Sequence, residues 1–112
     1  MDIRSRHIVA DVWLGEPADD ALVAGLLARA REHLSVLGEL VHRFEPHGIT
    51  ALLVLSESHL SLHTYPEHAF VSLDLYLCNP AAEPHAILDA LLAPITVRHQ
   101  VRRLLWRGVP DP

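Results

Sequence analysis

From Glu39 to Cys78 the chain falls into four successive strand-like stretches, and the breaks between them are too short to hold a helix. Glu39–Glu45 places Leu40, His42 and Phe44 on one face. Ile49–Leu55 (ITALLVL) is nearly all apolar. Ser58–Tyr65 sets Leu60, Leu62 and Thr64 against His59, Ser61, His63 and Tyr65, and Ala69–Cys78 sets Val71, Leu73, Leu75 and Leu77 against Phe70, Ser72, Asp74, Tyr76 and Cys78. A period of two marks strands. Strands joined by tight turns pair antiparallel, because a parallel crossover needs a dozen or more residues.

Two helical patterns flank this block. Leu22, Leu26, Ala30, Leu34 and Leu37 recur at helical spacing, which predicts a helix over Ala21–Leu37, capped by Asp19 or Asp20 and ended by Gly38. Pro84 suits the first turn of a second helix reaching about Leu92, and Pro94 stops it. His7–Leu14 and Ile95–Trp106 read as outer strands. The order β-α-β-β-β-β-α-β predicts an α+β class fold: a two-layer sandwich, its sheet mainly antiparallel, with two helices on one face. One domain over residues 1–112 is expected. The other sheet face would carry His59, His63, Tyr65, Asp74 and Cys78 together.

Composition removes several chemistries. The net charge is −5, against nucleic acid as the main partner. No apolar run is long enough for a membrane helix, and the first residues carry no signal-peptide pattern, so a cytoplasmic location is expected. One cysteine cannot form an internal disulfide or a cysteine-cluster zinc site. There are nine histidines and no lysine. Without lysine the chain cannot hold pyridoxal phosphate as a Schiff base, so a carbonyl for amine chemistry must come from elsewhere.

The stretch Leu55–Glu67 (LSESHLSLHTYPE) concentrates reactive side chains. Three readings compete: a solvated strand (the commonest role of such a stretch), a metal site, or a Ser, His and Cys converging for nucleophilic chemistry. The metal reading is strained: His59 and His63 on one strand face lie roughly 13 Å apart, too far to share a zinc ion with ligands at about 2 Å. No metal is expected.

Glu57-Ser58-His59 followed by His63-Thr64-Tyr65-Pro66-Glu67, then Asp74 and Cys78, resembles the bacterial and archaeal S-adenosylmethionine decarboxylase proenzymes, with their ESH…HTWPE block and D-x-x-x-C. Phe44-x-Pro46-x-Gly48-Ile49-Thr50 and the closing Arg107-Gly108 match too, so the likeness spans nearly the whole chain. The resemblance implies a precursor that cuts itself between Glu57 and Ser58 into a β chain, Met1–Glu57, and an α chain, Ser58–Pro112. Ser58 Oγ would attack the Glu57 carbonyl, a step served by a strained turn. His63 would then remove the Ser58 α-proton, and the new N-terminus would become a pyruvoyl group. That covalent cofactor would take the substrate amine as a Schiff base and act as electron sink when CO2 leaves.

The resemblance also assigns single residues. Cys78 would return a proton to the substrate carbon. Phe44 and Tyr65 would sandwich adenine and attract a sulfonium. Tyr65 stands where most relatives carry Trp. Glu67 would bind the ribose hydroxyls. Thr50, where a serine is usual, would support processing; its hydroxyl keeps the same hydrogen-bonding capacity. The expected product is the aminopropyl donor for spermidine, and the expected assembly is a homodimer of processed protomers. Two alternatives stay open: the same cofactor acting on ornithine or arginine, with Glu67 or Asp74 meeting the distal cation, and a non-catalytic relative that never cleaves.

Overall fold

The computed structural model describes residues 3–110. Met1 and Pro112, the outer ends of the two chains expected from cleavage, lie outside the described residues. The elements are β1 (Ser5–Leu14), α1 (Asp20–His33), β2 (Val36–Arg43), β3 (Ile49–Leu55), β4 (Ser58–Tyr65), β5 (Phe70–Leu77), α2 (Pro84–Leu92) and β6 (Val97–Arg107), with a 3-10 turn at Pro66–His68. The six strands form one sheet in the order β2-β3-β4-β5-β1-β6, antiparallel at every pairing.

Alternation decides the two faces. Ile8, Ala10, Val12 and Leu14 of β1 point the same way as Ala51, Leu53 and Leu55 of β3, Leu60 and Leu62 of β4, and Val71, Leu73, Leu75 and Leu77 of β5; all are buried. Leu22, Val23, Leu26 and Leu27 of α1 and Leu88, Leu91 and Leu92 of α2 join the same core. Each fully buried leucine contributes about 1.5–3 kcal/mol. Arg29 Nε ties the helices together by donating to the Leu91 carbonyl at 2.8 Å. Burial pulls the Arg29 guanidinium below its ordinary value, while Glu32 and Glu16 pull the other way. Asp19 is the N-cap of α1, its carboxylate accepting from Leu22 N at 2.9 Å. Thr64, one of the few buried polar side chains, accepts from Ile49 N at 2.9 Å and so joins β4 to the start of β3.

Several boundaries differ from the sequence expectation. Helix α1 stops at His33, not Leu37, and Gly38 lies inside β2 at a register shift. Leu34 is already extended, with φ −131° and ψ 152°, while its N–H still reaches Ala30 O. The next residues find partners across the sheet instead: Val36 pairs with Leu55, and Leu37 is 70% exposed, off the core. Helical spacing alone does not register that competing backbone partner. At β5 the strand begins at Phe70 because Ala69, at φ 46°, closes the 3-10 turn. The strand ends at Leu77, so Cys78 sits just beyond it. The last strand runs Val97–Arg107, since Ile95 N still bonds back to Leu92 O.

Candidate active site

One group of candidate residues gathers where β3 turns into β4. Leu55 pairs with Ser58, so Ser56 and Glu57 alone make the turn. Glu57 takes φ 61°, the left-handed region. A side chain there costs about 1–3 kcal/mol. The turn is held from two sides. Ser56 N donates to Ser35 O at 3.2 Å, and Cys78 N donates to Ser58 Oγ at 3.1 Å. Ser58 and Cys78 line a cavity of about 360 Å³ with Leu34, Glu57 and Ile87. The Cys78 sulfur lies 3.7 Å from the hydroxyl of Ser5.

A second group gathers at the far end of β4. Thr50 and His63 are cross-strand partners, and Thr50 Oγ1 lies 2.9 Å from His63 Nδ1. Phe44 and Tyr65 are 50% and 45% exposed, which rules out core packing as the role of Phe44. With Glu67 they line a cavity of about 370 Å³. The loop carrying Phe44 closes when Phe44 N donates to Gly48 O at 2.8 Å. Gly48 takes φ 102°, a conformation other residues rarely adopt. His47 Nε2 pairs with a Glu67 carboxylate oxygen. Nothing in the sequence marks His47, because its partner lies twenty residues away and no periodicity joins them.

The two groups do not meet within one chain. Ser58 and His63 are five residues apart on one strand, roughly 16 Å at a rise of about 3.3 Å per residue. They also fall on opposite faces, since His63 alternates with the buried Leu62 and Thr64. The stretch between them, on the uncovered face, is polar. His7 Nε2 lies 3.2 Å from Asp74 Oδ1, Ser61 Oγ donates to Asp74 Oδ2 at 3.4 Å, and the His59 and Tyr76 rings stack at 5.5 Å. Farther out, the same face exposes Leu40, Leu52 and Val54 (64%, 42% and 56%). Among the described residues no three His, Cys, Asp or Glu side chains are grouped to hold a metal ion, and no helix is long and apolar enough to cross a membrane.

Comparison with known proteins gives a consistent picture. Residues 6–108 match the family model described as S-adenosylmethionine decarboxylase. The chain is 34% identical to S-adenosylmethionine decarboxylase proenzyme 2 of Bacillus anthracis, over 95% of this chain and 90% of that one. It is 44% identical to the S-adenosylmethionine decarboxylase proenzyme of Symbiobacterium thermophilum, over 72% of this chain and 61% of that one. A crystal structure of the adenosylmethionine decarboxylase of Aquifex aeolicus VF5 has the same fold, with a TM-score of 0.81 over 99% of this chain and 96% of that one, at 24% identity.

Proposed function

The chain belongs to the S-adenosylmethionine decarboxylase family and is a decarboxylase, and on that premise we propose that it matures by cutting itself between Glu57 and Ser58 and then acts on S-adenosylmethionine. The observation that carries this reading is the left-handed Glu57 beside a Ser58 hydroxyl anchored by Cys78 N. Strain is released when the Glu57–Ser58 peptide opens. The Ser58 Oγ–Glu57 carbon bond forms and the Glu57–Ser58 amide bond breaks, leaving an ester and a free Ser58 amine.

The next step removes the Ser58 α-proton. His63 of the same chain is too distant, so His63 of the partner subunit takes it. A two-fold dimer packed through the uncovered sheet faces lays the Ser58 end of one protomer over the Thr50–His63 end of the other. The exposed Leu40, Leu52 and Val54 give that face an apolar surface to bury. Loss of the Glu57 carboxylate from the Ser58 side chain, then entry of water and loss of ammonia, divides the protein into residues 1–57 and 58–112 and leaves a pyruvoyl group on the second.

The surroundings of Ser58 fit such a group: its position opens onto a cavity of about 360 Å³ at the start of β4. When present, the group supplies the electrophilic carbonyl that this lysine-free chain lacks. The chain's own side chains do the rest. Across the proposed interface, the partner's Phe44 and the partner's Tyr65 stack the adenine and face the sulfonium, the partner's Glu67, oriented by the partner's His47, accepts the ribose hydroxyls, and Cys78, beside Ser58, returns a proton where CO2 departed. Ornithine and arginine suit the same residues less well. They have no ring to place between two exposed aromatics, and Glu67 and Asp74 are each already engaged by a histidine.

Denaturing intact-mass measurement tests the reading, followed by CO2 release from S-adenosylmethionine, ornithine and arginine in parallel. Two fragments divided at Glu57–Ser58, the second blocked at its N-terminus, with CO2 from S-adenosylmethionine alone, are expected. A chain that stays whole at 12.5 kDa overturns self-processing, and preferential release from ornithine or arginine overturns the substrate.

A further inference from the structure

Ser5 is one of only two buried polar or charged residues among the described residues, at 5% exposed. It opens β1, and the pairing of Arg6 with Leu77 puts Ser5 directly across from Cys78 when the register is carried one residue further. Side chains opposed in this way share a sheet face and touch. The Ser5 hydroxyl has two neighbours: Ile3 O at 3.2 Å and Cys78 Sγ at 3.7 Å. A hydroxyl carries one hydrogen and can donate to only one of them at a time.

That single hydrogen gives the pair two arrangements. While the sulfur is protonated, S–H donates to Ser5 Oγ and Ser5 O–H donates to Ile3 O. Once the sulfur has given its proton away, Ser5 O–H turns to the thiolate. We propose that Ser5 is the positioning residue for Cys78, a hydroxyl rotor that aims the thiol before proton return and holds the thiolate after it. The inference rests on the reading of Cys78 as the proton donor. The proton passes from sulfur to the substrate carbon that has lost CO2; the S–H bond breaks, the C–H bond forms, and the electron pair stays on sulfur.

The surrounding fold holds the rotor's second acceptor in place. Ile3 N donates to Gly108 O at 3.1 Å, and Gly108 lies at φ 68°. A Cβ at Gly108 would fall 2.6 Å from Ile3 O, a distance that no real side chain tolerates. Glycine there lets the chain before β1 pass close to the end of β6, which fixes where Ile3 O points.

The test uses Ser5→Ala and Ser5→Thr in the full-length, self-cleaved protein. Two quantities are read: the iodoacetamide alkylation rate of the chain's one cysteine, followed by mass, and the number of turnovers completed before activity is lost. Ser5→Ala removes the donor to the thiolate, so alkylation at neutral pH slows and the turnover number before inactivation falls by about tenfold. Ser5→Thr keeps the hydroxyl and restores both. Unchanged alkylation in Ser5→Ala overturns the contact itself. Slowed alkylation with an unchanged turnover count overturns the role in the reaction, and Cys78→Ala then locates the failure: full activity means that Cys78 is not the donor, whereas impaired activity means that Cys78 works without Ser5.

Discussion

The two ends of β4 belong to one strand, yet they are stabilised in opposite ways. At the Ser58 end the turn has only two residues, one of them a glutamate in a glycine-like conformation, and the reactive hydroxyl is pinned by a backbone N–H. At the Tyr65 end the neighbouring β2–β3 loop uses Pro46 and Gly48 where the backbone needs them, and the aromatic rings stand half in solvent. One end stores strain and restricts an oxygen; the other leaves apolar rings open to solvent. On the proposed reading neither is complete alone, because the histidine assigned to processing sits with the end assigned to binding. Placing them roughly 23 Å apart, seven steps along the strand, would make the proposed maturation depend on assembly.

Complementation breaks or sharpens this comparison most directly. Ser58→Ala and His63→Ala should each stay uncut as pure proteins. Mixed after denaturation and refolded together, they should cleave, because a mixed dimer has one complete pairing of Ser58 with the partner's His63. With random pairing, about a quarter of all sites are complete. Intact mass reads the fraction. Efficient cleavage by pure His63→Ala protein would show that the two ends need not meet.

The next effect is on the face between them. Leu52 is 42% exposed at the centre of β3, on the side away from the helices. Leu52→Asp leaves the helix-covered core untouched but puts a charge into the proposed interface, where an unpaired buried carboxylate costs several kcal/mol. Sedimentation should show monomers, and the monomers should stay uncut. Dimers that cleave normally would place the interface elsewhere.

How far these features are legible in the sequence follows from the range of the interactions that make them. The faces of β4 and β5 follow from a period of two, a local property, and Leu60, Leu62, Leu73 and Leu75 are buried as that period requires. The end of α1 depends on Val36 pairing with Leu55, nineteen residues on, and local spacing does not report it. The site divides the same way. Glu57, Ser58, His63 and Cys78 stand out as residue types in a resembling block, but their grouping into two ends depends on strand length and facing, which a motif does not carry. Ser5 and His47 do not stand out in the sequence, because each acquires its partner only through sheet register or loop closure, with Ser5 and Cys78 separated by seventy-three positions.

Strain at the Ser58 end gives a smaller, graded effect. Glu57→Gly accepts φ 61° without a side-chain penalty, so less energy is released on cleavage. Removing about 1–1.5 kcal/mol of strain slows self-cleavage by about tenfold, while the turn and the Tyr65 end keep their geometry. A time course of intact mass measures it. Cleavage at an unchanged rate would mean that the left-handed turn positions the carbonyl without driving the reaction.

The smallest expected effect lies at the other end. Thr50 Oγ1 already holds His63 Nδ1 at 2.9 Å, so the extra methyl relative to serine does not displace the hydroxyl from its partner. A β-branched side chain is stiff about its first torsion, which keeps that oxygen aimed at the ring. Thr50→Ser therefore changes the cleavage rate by no more than about twofold, since the hydrogen-bonding groups are identical. Thr50→Val keeps the shape and loses the oxygen, which slows cleavage by about tenfold, the effect of one lost hydrogen bond to a side chain that must be aimed. Both rates come from the same mass time course as Glu57→Gly. If serine sped cleavage many-fold, the methyl would be in the path of the partner's Ser58, and the packing of the two sheet faces would have to be closer than the exposed leucines alone require.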